Sequence, residues 1–398
     1  MRVKFPYGGP VYGSEEIGAM HASIASGRFW GGEFTHKLEE ELVRYLGVSR
    51  VVVVNSGSSA LLLAGEAIST LIPKNSRVVT QALTFPTNIN TSIQVGRRPV
   101  LIDVELDTLN VNAQHALEIV RKSGSETLTL THTIGNTTQL DELGDGLKEI
   151  GIPWIEDMCD CLGSSYKGRK IGTWGSVACS SLHPAHQISA GLGGFSATSD
   201  EKLGEVMHSL RDWGRASGFG VGERFRDGVD MQYYYTRRGY NLQLPEVCSA
   251  MGLVQLRKLD EFNLQRRRNF QRELEWAMNH LSILIPPRQS SEDISWFGFP
   301  LIFREASLRE RGLTRFDVMR RLELEGVETR SIYGGCVNEL PAYSDIEFDM
   351  RWSGSLGNSK YLSRNGMWVS AWHGLSDGDI EDMLSIIDVQ LKGLGLLD

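Results

Sequence analysis

Three stretches of this chain carry residues whose types and spacing could do chemistry. The densest is SSLHPAHQISAGLGG, residues 180–194, where His183 and His186 precede a glycine-rich turn. Two histidines three apart could ligate a metal, but no nearby carboxylate or cysteine completes a set. A pair of buried, hydrogen-bonded imidazoles is the competing reading. IEDMCDCLG, residues 155–163, offers Asp157 and Asp160 beside Cys159 and Cys161. A carboxylate at the C-terminal end of a strand points into the crevice where α/β proteins bind ligands. A helix cap is the other use for Asp157. The two cysteines fall short of a structural zinc site, which wants four ligands. NSGSSA, residues 55–60, stands where a run of valines ends and an apolar helix begins. Small residues there let backbone amides approach a phosphate at a helix N-terminus, and they equally suit a tight strand-to-helix turn.

The elements that must position these residues follow from periodicity. Ser14 can cap a helix that carries Ile17, Met20 and Ile24 towards Gly27. A second helix bears Phe34, Leu38, Leu42 and Tyr45 on one face and stops at Gly47. VVVV at 51–54 reads as a buried strand. Further short strands are expected at 78–80, 99–104, 128–133 and 154–155, with helices between most of them. That alternation predicts a largely parallel sheet covered on both faces. A long helical region is expected over 245–280, then a smaller α+β domain with a helix near 315–325 and a closing helix after Gly378. The division expected is residues 1–250 for the N-terminal helices and large domain, and 251–398 for the small one. The run Arg266 to Arg268 reads as a solvated helix face. Trp296, Phe297 and Phe299 read as small-domain core. Cys179, Cys248 and Cys336 have no partner at metal spacing and read as small buried hydrophobes.

Composition narrows the classes. The chain has 398 residues, 41% hydrophobic and 23% charged, enough for a sizeable core and inconsistent with wholesale disorder. Acidic residues outnumber basic ones 49 to 41, a net charge of −8, so general nucleic-acid binding is set aside. The opening MRVKFPYGGP has no apolar h-region, and no run of 18 apolar residues occurs. Five cysteines make no disulfide scaffold. A cytoplasmic protein with no membrane span is expected.

Taken together, GRFWGGEFTHKLEEELVRYLGV, VNSGSSA, IEDMCDCLG, the 180–194 segment, SLRDWGR, GYNLQLPE and VETRSIYGG resemble the sugar-aminotransferase family (DegT/DnrJ/EryC1/StrS) of fold-type-I pyridoxal-phosphate enzymes. The resemblance spans nearly the whole chain. It implies an α/β, aspartate-aminotransferase-like fold: a large, mostly parallel seven-stranded sheet domain plus a smaller C-terminal α+β domain. In the family's aminotransferases a lysine after the Ser-Phe-His-Pro stretch holds the cofactor covalently. Here His186 takes that place, and no lysine occurs between Lys170 and Lys202. A histidine there marks the 3-dehydratase branch, which makes 3-deoxy sugars from nucleotide-linked 4-keto sugars. The flanks SWFGFP, TRSIYGG and MWVSAWHGL look most like its iron–sulfur members, the CDP-ketosugar 3-dehydrases. Cys159 matches one of their cluster ligands. Ser217 and Phe219 stand where their Cys-x-Cys pair would be, and residues 216–247 hold no cysteine. A [2Fe–2S] cluster needs four ligands, so no iron–sulfur cluster is expected.

The resemblance also implies roles. Asp157 pairs with the cofactor's pyridinium nitrogen, Phe85 stacks on its ring, and Gly57, Ser58 and Ser181 contact its phosphate. Asp160 steadies the cofactor's hydroxyl side or is a surface carboxylate. Asn241 reaches the phosphate of the neighbouring subunit, which implies a homodimer with shared active sites. Arg330 is a substrate-side arginine suited to phosphate or carboxylate. His186 is the catalytic base beside pyridoxamine 5'-phosphate held noncovalently. The cofactor then supplies the two electrons, and L-glutamate regenerates the amine form from pyridoxal 5'-phosphate. Two positions depart from the branch: Leu192 replaces a glutamate and Gln187 a second histidine. Alternatives are dehydration of a nucleoside or acidic sugar in natural-product biosynthesis, a redox-neutral elimination, and a cofactor-binding pseudoenzyme.

Overall fold

Val51 and Val53 lie in one buried cluster and Val52 and Val54 in another, because β1 (Arg50–Val54) is covered on both faces. This explains a continuous apolar run where a one-sided strand would alternate. The computed structural model describes residues 3–216, 224–226 and 228–397, so Ser217 and Phe219 lie outside the described residues. Six more strands complete the main sheet: β2 (Arg77–Gln81), β3 (Arg98–Ile102), β4 (Thr127–Thr131), β5 (Trp154–Asp157), β6 (Val177–Ser181) and β7 (Gly194–Thr198). Their order is β1-β7-β6-β5-β4-β2-β3. The pairs β2/β3, β2/β4, β4/β5 and β5/β6 are parallel, and β7 runs antiparallel to both β6 and β1. Periodicity does not reveal β6 (VACSS) and β7 (GFSAT), since their buried small and hydroxyl residues lack a strong apolar signature.

Helix α1 (Ser14–Ala25) packs on the long helix at 246–278, and six helices flank the sheet: α2 (Glu33–Leu46), α3 (Gly57–Ile68), α4 (Pro86–Gln94), α5 (Ala113–Ser123), α6 (Leu140–Glu149) and α7 (Glu201–Arg211). The α3 and α7 side chains Leu61, Leu63, Leu203 and Met207 share a cluster with Val52 and Val54. Leu38, Leu42, Leu117 and Leu143 belong to the cluster on the other face. Helix α1 starts one residue differently from the sequence expectation. Gly13 occupies the N-cap, and the Glu16 carboxylate accepts its N–H at 2.9 Å, so the acidic side chain does the work assigned to Ser14. Helix α2 ends where expected, at Gly47, whose φ of 72° is the left-handed cap glycine tolerates.

The chain then enters α8 (Glu246–Met278), 33 residues long and so about 50 Å. The expected boundary at 250/251 falls inside this helix. Its first residue also ties it to the N-terminus. The buried Glu246 carboxylate accepts N–H groups of Gly32, Phe34 and Thr35 at 3.0, 2.5 and 3.2 Å, satisfying the open end of α2. Beyond α8, an antiparallel sheet forms from β8 (Leu284–Ile285), β9 (Gly298–Phe303), β10 (Arg330–Ser331) and β11 (Gly366–Ser370) in the order β8-β9-β11-β10. Helices α9 (Arg315–Leu324) and α10 (Asp377–Gly393) cover it. Trp296 and Phe299 are fully buried against Phe270 of α8, as core residues should be. The N-terminal strand segment pairs with this region: Lys4 and Phe5 N–H groups reach the Gly326 carbonyl at 2.9 and 3.0 Å, which delivers Tyr7 to the same neighbourhood. Among the described residues, no helix is long and apolar enough to cross a membrane.

Candidate active site

Strand β5 ends in Glu156 and Asp157, and alternation sends the two carboxylates to opposite faces. Glu156 accepts N–H groups of Gly172, Trp174 and Gly175 at 2.9, 2.7 and 2.6 Å and is structural. Asp157 faces a cavity of about 480 Å3. Its Oδ2 accepts the Asn88 amide of α4 at 2.8 Å, and its Oδ1 accepts the Cys159 N–H at 3.2 Å. The carboxylate is therefore fixed before any ligand arrives.

The NSGSSA turn lines the same cavity. Ser56 caps α3 by accepting the Ser59 N–H at 3.0 Å, and the Gly57 and Ser58 first-turn amides border the opening. Two glycines are required by close approach. A Cβ on Gly57 would stand 2.8 Å from the Ser181 Cβ, and one on Gly194 would stand 2.6 Å from the Gly57 nitrogen. Strands β6 and β7 thus press directly on the helix terminus. Ser58 Oγ lies 3.0 Å from Thr87 Oγ1, and Ser181 Oγ accepts the His183 N–H at 3.2 Å. Phe85, 53% exposed although it precedes a buried helix face, lines the cavity and meets Tyr333 edge-on at 6.2 Å.

His186 sits in the loop joining β6 to β7. Arg266, fully buried on α8, donates to the carbonyls of Ala185 and His186 at 3.2 Å each and to that of Phe297 at 3.0 Å. The Gln187 amide donates to the carbonyls of Asp160 and Ser295, pinning the loop to the β5 end. Phe297 lies under the imidazole at 5.0 Å. Burial, with nearby His183 and the Arg266 guanidinium adding to it, pushes the His186 imidazole down to about 3, so it stays neutral. Its Nδ1 is buried without a hydrogen-bond partner, 3.6 Å from Asp160 Oδ1. Burial lifts the Asp160 carboxyl to about 7, with the Tyr333 hydrogen bond opposing and the Asp157 charge adding. Tyr333 donates to Asp160 Oδ2 at 2.7 Å. Arg330 stands 4.0 Å over the Tyr7 ring, bonded to the Thr329 carbonyl and the Glu328 carboxylate, and lines the cavity.

The fold therefore gathers Gly57, Ser58, Phe85, Asp157, Asp160, Ser181, His186 and Arg330 around one cavity. Asn241 is exposed, bridged to Asp212, and does not line it. Three sequence readings need correction. Arg266 is not on a solvated face: it falls with Leu259, Phe262 and Phe270 on the inward side of α8, a spacing that was visible in the sequence. Phe297 is not only core, since its ring borders the cavity. Cys179, read as having no partner, lies with Cys159 and Asp157 in one group whose ligand atoms are all within 4.8 Å. Strand pairing of Asp157 with Cys179 brings this about, and sequence distance hid it. Cys159's thiol is pushed well up by its hydrogen bond with Cys179 and by burial. Tyr7, Tyr333 and Trp368 also line the cavity; TRSIYGG and MWVSAWHGL hold the latter two, but the sequence assigns no role to any of the three.

A model of the DegT/DnrJ/EryC1/StrS aminotransferase family matches residues 10–388. The chain belongs to this family. Family members similar to it include the lipopolysaccharide biosynthesis protein RfbH of Salmonella typhimurium, 32% identical over 96% of this chain and 90% of the relative. The dTDP-4-dehydro-2,6-dideoxy-D-glucose 3-dehydratase of Saccharopolyspora spinosa is 32% identical over 96% of this chain and 85% of its own. Among solved structures, E. coli GDP-4-keto-6-deoxy-D-mannose-3-dehydratase with bound hydrated PLP superposes with a TM-score of 0.89. It is 23% identical and covers 97% of this chain and 100% of that one, so it shows the shared fold. The seven-stranded, mostly parallel sheet is accordingly that of the pyridoxal-phosphate-dependent aminotransferase-like enzymes.

Proposed function

We propose that this family member is a sugar 3-dehydratase dependent on pyridoxamine and pyridoxal 5'-phosphate, acting on a nucleotide-linked 4-keto sugar without an iron–sulfur cluster. The observation that carries the reading is a cavity lined, among the described residues, by the imidazole of His186 and by no lysine, together with a fixed carboxylate. Two relatives named as 3-dehydratases of nucleotide-linked keto sugars support it.

The residues fit such a cofactor. Asp157 offers a held carboxylate for the ring nitrogen. The α3 terminus, cradled by Gly57 and Gly194 against Ser181, offers amides and hydroxyls for a phosphate. When bound, the cofactor supplies an electron sink through its protonated ring. Asp157 keeps that ring nitrogen protonated, and Phe85 presents its face to the ring. His186, kept neutral by burial, would take a proton from the aminomethyl carbon and pass it to the departing hydroxyl, which leaves as water; in the glutamate half it would carry the glutamate Cα proton back to that carbon. Arg330, oriented by Glu328 and Tyr7, binds an anionic group of the substrate. Asn241, exposed and outside its own cavity, contacts the cofactor phosphate of a second subunit in a homodimer. L-Glutamate restores the amine form.

The test is purified protein with pyridoxal phosphate, L-glutamate and dTDP- or GDP-linked 4-keto-6-deoxyhexoses, followed by mass spectrometry. The expected products are a 3-deoxy keto sugar and 2-oxoglutarate. An amino sugar in place of the deoxy ketone, or no change in the sugar, overturns the reading.

A further inference from the structure

Asp157 and Asp160 are three residues apart and both buried, yet their surroundings differ. Asp157 already accepts from Asn88 and the Cys159 N–H. Asp160 has one oxygen taken by the Tyr333 hydroxyl at 2.7 Å and the other aimed at an unsatisfied nitrogen, His186 Nδ1, at 3.6 Å. We propose that Asp160 is the positioning residue of His186: Asp160 Oδ1 takes the Nδ1 side of the imidazole, Tyr333 holds Oδ2, and Nε2 is left to face the cavity. This rests on the reading of His186 as the proton-transferring group.

Three independent restraints converge on the pair. The Gln187 amide grips the Asp160 carbonyl, so the residue after the histidine fixes the carboxylate's backbone. Arg266 grips the His186 carbonyl from α8. Tyr333 comes from the C-terminal sheet region with φ of 49°, a left-handed conformation uncommon for an aromatic residue, and its oxygen accepts the Ile134 N–H at 3.4 Å. Ile134 itself has φ of 52°. Backbone held in this region at two residues facing one carboxylate is over-determined by its surroundings. Catalytic hydrogen bonds are often long before a ligand binds, which accommodates 3.6 Å in the free site.

The proton count gives the pair its function. With two protons on the pair, Asp160 is a neutral acid donating to Nδ1, and Nε2 bears the ring hydrogen and cannot act as a base. Loss of one of the two to solvent leaves the other on Nδ1, donating to the Asp160 carboxylate, and a free electron pair on Nε2. The charged or titratable groups facing the pair are Asp157, His183, Arg266 and Tyr333. Burial places the Asp160 carboxyl near 7 and keeps the imidazole neutral, which puts the exchange close to neutral pH.

Nitrogen-15 imidazole correlation spectra of the cofactor-loaded protein test this without relying on turnover, the His186 signal being the one missing from His186→Asn. The expected result is a switch from Nε2–H to Nδ1–H as pH rises through neutrality. The switch is absent in Asp160→Asn and moved to higher pH in Tyr333→Phe, because the tyrosine's hydrogen bond favours the ionised carboxylate. In the dehydration assay, Asp160→Asn lowers kcat about 100-fold with little change in KM and abolishes the corresponding limb of the pH profile. An unchanged His186 tautomer and switch in both variants overturns the proposal, and Tyr333→Phe keeps the test decisive if Asp160→Asn folds poorly. A tautomer switch that follows Asp160 in a protein making no deoxy sugar upholds the positioning and removes the dehydratase reading. The reverse result removes the positioning alone.

Discussion

On the sheet side of the cavity, Asp157 is held by two donors and the α3 terminus is capped and cradled by glycines. On the loop side, His186 Nδ1 is buried without a hydrogen-bond partner, the one such side-chain atom among the described residues that line the cavity. Leaving a buried polar group unmatched costs about 1–3 kcal/mol, so the difference between the two sides is energetic as well as geometric. Parallel strands and a helix end make the first side rigid. The second is assembled from a loop, a long helix and the C-terminal sheet. On the proposed reading, the sheet side holds the cofactor and the loop side exchanges protons. Each half should respond differently to substitution.

The largest separation between the halves is expected from His186→Asn. Turnover should fall about 10³- to 10⁴-fold while cofactor absorbance titrations stay within a few-fold of wild type. A comparable loss of cofactor binding would erase the division of labour. Asp157→Asn should act the other way round. Removing a charge-assisted hydrogen bond worth about 1.5–3 kcal/mol should weaken cofactor binding roughly 10- to 100-fold. Cofactor affinity indifferent to this change would place the ring nitrogen elsewhere.

A smaller effect concerns pH and the cofactor-free protein. Asp160 has a raised folded pKa, so its contribution to stability is present in acid and is lost as pH rises through about 7. His186 has a lowered one, so its neutral buried form favours folding above the unfolded histidine value of about 6.5 and is lost as pH falls below it. Between about pH 4 and 6.5 the two slopes oppose each other. Asp160→Asn removes the first, so the stability of the variant relative to wild type should rise with pH there, by up to about 1.4 kcal/mol per unit. Urea denaturation across that range measures it, and a flat difference would show that the loop side does not store this proton. The smallest effect is expected from Leu192→Glu. Leu192 is 61% exposed at the cavity rim, so stability should change by less than about 0.5 kcal/mol. A larger shift in the denaturation midpoint would mean that the rim supports the loop.

Much of the sheet side was legible in the sequence. A run of four valines requires burial on both faces, and small residues at a strand-to-helix turn allow close backbone approach. The adjacent Glu156 and Asp157 must point to opposite faces of their strand. Each of these follows from local geometry over a few residues. His186 was equally local, as an imidazole where the family's aminotransferases carry lysine. Strands β6 and β7 escaped because hydroxyl and small residues are buried there through tertiary packing, without an apolar pattern. The loop side was decided only in three dimensions. Arg266 is separated from His186 by 80 positions, and Tyr333 from Asp160 by 173. Cys179 reaches Cys159 only through strand pairing. Local sequence determines which face a residue presents. The folded packing of distant segments determines what that face meets, and here that decides the surroundings of His186.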